Sequence, residues 1–327
     1  MSTTDIEWTD RVWNPVTGCT KVSAGCKHCY AETVANRFWR ATEPPILTAT
    51  VEGETARPRR FTDVQCHEDR LTQPLRWRKP SRVFVNSMSD LFHEDVPDDF
   101  IERVFSVMGL AERHTFQVLT KRPARMRAWF SNRRFDVKNH AILKTEIADG
   151  GAYSMPWPFL NVQLGVSVED PATADERIPL LLQTPAAVRF VSLEPLLSHV
   201  SIEGWLDTET CIGACYRPAC GGCAPHLDWV IVGGESGPHA RPCDVAWIRL
   251  IVQQCVEAGT PVFVKQLGTR PVASGPLAIP SGLRVTGASG GTDIVFRDRK
   301  GADIVEWPED LRVRQYPSTL VSTGAAS

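Results

Sequence analysis

No apolar run in these 327 residues approaches the roughly 18 needed for a membrane-spanning helix, so no helical membrane span is expected. The stretch Met1–Asp10 is polar and acidic, with neither the basic start nor the apolar centre of a secretory leader. An excess of charge of one sign is missing as well. Thirty-six Lys and Arg stand against 38 Asp and Glu, giving a net charge of −2 at pH 7, so no global basic field draws the chain to nucleic acid. Binding of that kind would need a local patch. No internal repeat is visible. These absences lead to the expectation of a cytoplasmic protein without membrane contact, in which structural disulfides do not form.

Cysteine, by contrast, is plentiful. Seven of the ten cysteines fall into two clusters, leaving Cys66, Cys243 and Cys255 outside, and clustered cysteines in a reducing compartment point to metal. Length suits one barrel-sized domain with insertions better than two equal domains.

Short continuous apolar runs alternate with amphipathic segments. Candidate strands are Arg82–Ser87, Phe116–Thr120, Asn161–Ser167, Val188–Leu193, Trp229–Gly233 and Pro261–Lys265, with Trp13–Cys19 as a first strand. Continuous rather than alternating apolar character is expected of strands covered on both faces. Ile101, Val104, Phe105 and Met108 form a helical stripe after Pro97-Asp98-Asp99. Ile248, Ile251, Val252 and Cys255 form another between Asp244 and Gly259, so Cys255 reads as a core thiol. Six to seven βα units predict an α/β fold, a TIM-like (β/α) barrel, possibly partial, over residues 1–268, with an open doubly wound sheet as the alternative. Thr42–Pro80 and Asn132–Pro158 read as insertions, and 204–227 as a Cys-rich insertion. A charged appendage is expected over 269–316 and a disordered tail over 317–327.

Cys19, Cys26 and Cys29 share one loop ahead of a helical run. Three thiolates leave a metal site one ligand short. They suit either zinc with a fourth ligand from elsewhere or an iron–sulfur cluster whose remaining iron stays open to a chelating molecule. His28 lies inside Cys26-x-His28-Cys29, too cramped to join the same ion easily. Cys211, Cys215, Cys220 and Cys223 instead make a complete tetrahedral set for structural zinc, or for an auxiliary cluster.

In a parallel barrel functional groups gather at strand C-terminal ends. Those ends here carry Ser87, Ser89 and Asp90; Thr120, Lys121 and Arg122; Ser167 and Glu169; Ser192 and Glu194; Gly233, Gly234 and Glu235; and Lys265 with Gln266. Glycines at 233 and 234 would let backbone approach a ligand, with Glu235 binding an ammonium group, although a tight turn explains them equally well. Lys121, Arg122 and Lys265 suit an anionic group of the substrate. His93, Glu94 and Asp95 look like a metal triplet, but just before Pro97 they read better as a solvated helix cap.

The loop Cys19–Tyr30 (CTKVSAGCKHCY) resembles the cluster loop of radical S-adenosylmethionine enzymes, although its first spacing is C-x6-C rather than C-x3-C. That resemblance implies a [4Fe-4S] cluster on the three cysteines, S-adenosylmethionine chelated at its open iron, and a 5′-deoxyadenosyl radical. It also implies an electron donor such as flavodoxin or ferredoxin. Ser87, Ser89, Asp90, Glu194, Gly233, Gly234 and Glu235 become the candidate cofactor contacts. Longer segments, among them Ile6–Tyr30, Val85–Val96, Val118–Met126, Arg189–Leu196 and Trp229–Pro242, are similar to a phage and bacterial three-cysteine-motif family of uncharacterised phage proteins. A phage setting implies a nucleic acid or nucleotide substrate. The rival expectation is a non-catalytic module in which zinc fills both cysteine sets. Trp8, Trp13, Trp77 and Arg57–Arg60 would then contact nucleic acid or a partner protein.

Overall fold

The computed structural model describes residues 4–41, 57–131, 157–206, 225–274, 284–288 and 291–318. The chain forms two compact units, Met1–Val162 and Gln163–Ser327.

In the first unit, β1 (Arg11–Trp13) is followed by a two-residue strand β2 (Val16–Thr17) and helix α1 (Tyr30–Ala41). Then come β3 (Gln65–Cys66), β4 (Arg82–Val85), α2 (Asp98–Leu110), β5 (Thr115–Thr120) and α3 (Pro123–Ser131). Strand β4 pairs in parallel with β1 on one side and β5 on the other. The first strand is therefore not Trp13–Cys19. It ends at Trp13, because Pro15 has no N–H to offer a ladder and the Asn86 side chain accepts the Val16 N–H. Residues 16–17 turn away into an antiparallel pair with β3. Helix α2 begins where Pro97-Asp98-Asp99 predicts, and its apolar stripe is wholly buried. Phe92, Phe105, Trp129, Phe130 and Trp157 pack ring on ring, Phe105 on Trp129 at 5.2 Å and Phe130 on Trp157 at 4.5 Å, which clamps α2 to α3.

The second unit opens with β6 (Val162–Ser167), then α4 (Pro171–Leu182), β7 (Val188–Leu193) and β8 (Trp229–Gly233). It continues through β9 (Cys243–Asp244), α5 (Val245–Glu257), β10 (Val262–Gln266), β11 (Pro271–Ala273), β12 (Arg284–Ala288) and β13 (Gly291–Val295). Every residue of β6 and β8 is buried, as expected of strands covered on both faces, and in β6 this includes the polar Gln163 and Ser167. Asp170 builds a capping box at the start of α4, and Asp244 caps α5 through the Ala246 N–H. Cys255 sits on the buried face of α5, where burial pushes its thiol up to about 12. Strands β12, β13, β11 and β9 make a small mixed sheet. The residues read as an appendage include a segment that covers one edge of the main sheet. Val313–Gln315 lie along β10, exchanging Val264 N–H to Val313 O (2.9 Å) and Gln315 N–H to Val262 O (2.9 Å). Tyr316 then packs on Trp229 and Phe263.

The seven parallel strands take the sheet order β1-β4-β5-β6-β7-β8-β10, with helices in the connections. The fold is α/β, of the partial TIM-like barrel class expected from the run of βα units. Among the described residues no helix is long and apolar enough to cross a membrane.

Candidate metal centre

The three-cysteine loop lies in the first unit, and its shape starts at Gly18. Gly18 has φ +94°, and a Cβ there would come within 2.5 Å of the Asp63 carbonyl oxygen. That close approach lets the Cys19 N–H donate to the Phe61 carbonyl (2.9 Å) and the Gly18 N–H to Met88 (3.0 Å). Part of the stretch read as an insertion is thus a cradle for the loop. Arg59, 5% exposed, donates to the Thr17 carbonyl and hydroxyl (2.9 and 2.7 Å) and lies 4.0 Å over the Trp39 ring. His67 Nε2 meets the same Thr17 hydroxyl at 2.8 Å. Sequence reasoning missed Phe61, Asp63 and His67 and assigned Arg59 to a nucleic acid or partner protein, because an Arg- and Pro-rich stretch resembles a solvated loop.

The six residues between Cys19 and Cys26 hold a 3₁₀ turn, Ala24–Cys26, which uses the extra chain length of the C-x6-C spacing. Cys29 immediately precedes α1. Cys19 and Cys29 pack against one small apolar cluster of Ala31, Ala35 and Phe61, together with Met88. Each of the three sulfurs has a hydrogen-bonding group beside it. Arg122 Nη1 is 3.6 Å from Cys19 Sγ, and Ser23 Oγ is 3.9 Å from Cys26 Sγ. The backbone N–H groups of Glu32 and Ala31, at the start of α1, favour the Cys29 thiolate. Burial is still the largest influence. It pushes Cys19 up to about 11, aided by the Asp90 charge and opposed by Arg122, and it raises Cys29 as well. Free Cys19 and Cys29 are therefore protonated, and metal must displace those protons.

Behind Cys19 stands a buried charge network. Asp90 accepts from the Phe92 N–H (3.0 Å), the Thr120 hydroxyl (2.8 Å), the Lys121 N–H (3.0 Å) and Arg122 Nη1 (3.3 Å). Arg122, 7% exposed, also donates through Nε to both Glu94 oxygens (3.1 Å) and through Nη2 to the Thr20 hydroxyl (2.9 Å). Arg122 is thus committed to its own protein rather than open to a substrate anion, and the Asp90 carboxylate is filled. Ser87 donates to Asn14 Oδ1 (3.2 Å) and Ser89 to the Val16 carbonyl (2.9 Å), so both serines hold the strand end and the cysteine loop together. His93 is not a solvated cap. It is 2% exposed, its Nδ1 accepts the Asp95 N–H (3.1 Å), and its Nε2 meets Thr20 Oγ1 at 2.8 Å.

The second unit holds the remaining candidates. Glu194 takes Lys265 Nζ and Gln266 Nε2 (3.2 Å) on one oxygen, and Gln266 also reaches the Gly234 carbonyl (3.2 Å). Glu235, 5% exposed, is locked to Arg241 by Nε to Oε2 (2.8 Å) and Nη2 to Oε1 (2.6 Å). A Cβ at Gly234 would meet the Leu267 carbonyl oxygen at 2.6 Å. Close packing against the backbone after β10 is therefore reason enough for Gly234, and Gly233 likewise lies against Gln266. The second cysteine set, Cys211, Cys215, Cys220 and Cys223, lies outside the described residues. Among the described residues, no three Cys, His, Asp or Glu side chains are gathered tightly enough for a single ion.

Most of the aromatic and basic residues assigned to the nucleic-acid rival are otherwise engaged. Trp8 and Trp13 are buried, the Arg11 guanidinium lies 5.0 Å over the Trp77 ring, and Arg57 is bidentate on Asp63 (2.8 and 2.6 Å).

A family model described as "Protein of unknown function (DUF5131)" matches residues 3–302. That description names neither a phage origin nor a three-cysteine motif. No curated protein matches the chain. Among solved structures, a cysteine-to-serine variant of spore photoproduct lyase is similar at 13% identity and a TM-score of 0.38, over 91% of this chain and 71% of that one. A double variant of the same enzyme, with bound AdoMet and dinucleoside spore photoproduct, is similar at 12% identity and a TM-score of 0.39, with the same coverage. Scores of this size decide nothing about chemistry.

Proposed function

We propose that this chain, which belongs to the DUF5131 family of unknown function, is an iron–sulfur enzyme that holds a [4Fe-4S] cluster on Cys19, Cys26 and Cys29. One observation carries the reading: three thiols of a single loop each have a hydrogen-bonding group at the sulfur, two of them from an arginine and a helix N-terminus. A cluster spreads negative charge over its sulfurs, and N–H donors at those sulfurs are the means by which a protein stabilises it. A single zinc would need the thiolates drawn together on one ion, whereas a cluster seats each on a different iron.

A cluster bound by Cys19, Cys26 and Cys29 would leave one iron open to a chelating molecule, and it would supply the electron, taken from an external reductant, that cleaves S-adenosylmethionine to methionine and a 5′-deoxyadenosyl radical. The protein's own part is positional. Gly18 and the Asp63 carbonyl fix where Cys19 emerges, the 3₁₀ turn presents Cys26, and the first turn of α1 presents Cys29. Asp90, Ser87 and Ser89 act as braces for this loop rather than as ligand contacts. In the second unit Lys265 and Glu194 are the polar pair we assign to substrate or cofactor, with Glu235 held by Arg241. Zinc is reserved for the second cysteine set.

The substrate class we propose is a nucleotide or nucleic acid, and flavodoxin or ferredoxin is the class of reductant. Anaerobic reconstitution of the full chain with iron and sulfide tests the first step. About four irons per chain and a brown protein are expected, with loss of both in Cys26→Ala and retention of that iron in Cys220→Ala. Colourless protein carrying zinc alone would end the proposal. Reductive cleavage of S-adenosylmethionine, followed as 5′-deoxyadenosine, tests the second step. Absence of cleavage from a cluster-loaded chain would remove the radical mechanism.

A further inference from the structure

Resting on the cluster reading above, we propose that Arg122 is a positioning residue that anchors Cys19 through its sulfur and raises the reduction potential of the cluster, with Asp90 as its counter-charge. Its guanidinium is buried and touches four partners: Asp90 (3.3 Å), Glu94 (3.1 Å), Thr20 Oγ1 (2.9 Å) and Cys19 Sγ (3.6 Å). Two of these partners are themselves braced. Asp90 receives two backbone N–H groups and a hydroxyl, and His93 meets the Thr20 hydroxyl. A guanidinium held on so many sides keeps its N–H directed at the sulfur in either oxidation state.

Reduction adds one electron to the cluster and makes its sulfurs more negative. A buried N–H donor at a ligating sulfur stabilises that state more than the oxidised one, which raises the potential. The single nitrogen Nη1 reaches both Cys19 Sγ and Asp90 Oδ2. Without Arg122, the Asp90 charge faces the cysteine uncompensated. Removing Arg122 therefore both withdraws a donor and exposes an anion. Removing Asp90 along with it restores the balance of charge.

The test is a potentiometric titration of the anaerobically reconstituted full chain, with mediator dyes and a low-potential one-electron reductant, followed by EPR. Arg122→Gln is expected to lower the midpoint potential and to retain less iron. Arg122→Gln with Asp90→Asn is expected to move both back toward wild type. An unchanged potential in cluster-loaded Arg122→Gln overturns this inference and leaves the cluster reading intact. A wild-type chain that takes up no cluster overturns the cluster reading itself. If Arg122→Gln folds by circular dichroism but holds no cluster, recovery of iron in the double variant supports the inference and failure to recover opposes it. Should Arg122→Gln not fold, Arg122→Lys carries the titration: a lowered potential supports the role of the planar donor, and an unchanged one contradicts it.

Discussion

At the scale of single residues, the loop depends on groups whose charge state burial has set. Arg59 donates to the Thr17 hydroxyl, leaving the hydroxyl proton for His67 Nε2, and this requires a neutral ring. Burial, then the nearby Arg70 and Arg59, push His67 down to about 4. His93 is lowered too, by burial first and then by Arg122. Between pH 6.5 and about 4 the unfolded chain binds a proton that folded His67 refuses. Stability is therefore full above pH 6.5 and falls as pH drops through this window, by up to about 3 kcal/mol for His67. Denaturant melts at pH 7.5, 5.5 and 4.5 should show that loss, with a shallower slope in His67→Gln. Asp90 offers a second test. Asn at this position removes the counter-charge of a buried arginine and sets an amide against four donors, so Asp90→Asn should cost about 3 kcal/mol at neutral pH. A cost within 0.5 kcal/mol, on the order of a neutral surface change, would contradict the network.

At the scale of elements, two substitutions separate local geometry from chemistry. Gly18→Ala places a methyl group against the Asp63 carbonyl at a φ that alanine resists. It should destabilise the first unit by about 2 kcal/mol and reduce iron uptake, measured by melting and by iron per chain. Asp170→Ala removes the capping box of α4 and should cost about 1 kcal/mol while leaving iron uptake unchanged.

The elements also show what a sequence discloses. The buried strands were legible because apolar runs such as Trp229–Gly233 have no polar face to confuse the reading. The start of α5 was legible in Asp244 and its end in Gly259, which adopts φ +67°. The first strand was misplaced because nothing local reveals that Asn86, itself at φ 61°, takes the Val16 N–H. The cysteine tripod was visible in its spacing. Its second layer was not, since Arg122, Asp90 and Thr20 meet only through folding across some hundred residues. Sequence shows that Arg122 is an arginine; only the fold shows that it is spent on Asp90, Glu94 and Cys19.

At the scale of the molecule, the main sheet has an outer edge at β10, and residues 313–315 cover it. A chain stopped before Val313 would bare that row of backbone groups and uncover Trp229 and Phe263. Such a chain should melt earlier and associate with rising concentration in light scattering, whereas the full chain should not. The near-even balance of charge also bears on function. With a net charge of −2, any nucleic acid substrate must be gripped by a few local contacts, so its affinity should fall only gently with salt.

The central claim, a cluster held by three cysteines with its fourth iron open, is tested most directly by EPR of the reduced, reconstituted full chain. Spectra should be recorded with and without S-adenosylmethionine, in wild type and in Cys26→Ala. The account predicts a cluster signal whose g-values shift when S-adenosylmethionine is added, and loss of that shifting signal in Cys26→Ala. A signal indifferent to S-adenosylmethionine, or one unchanged in Cys26→Ala, would contradict it.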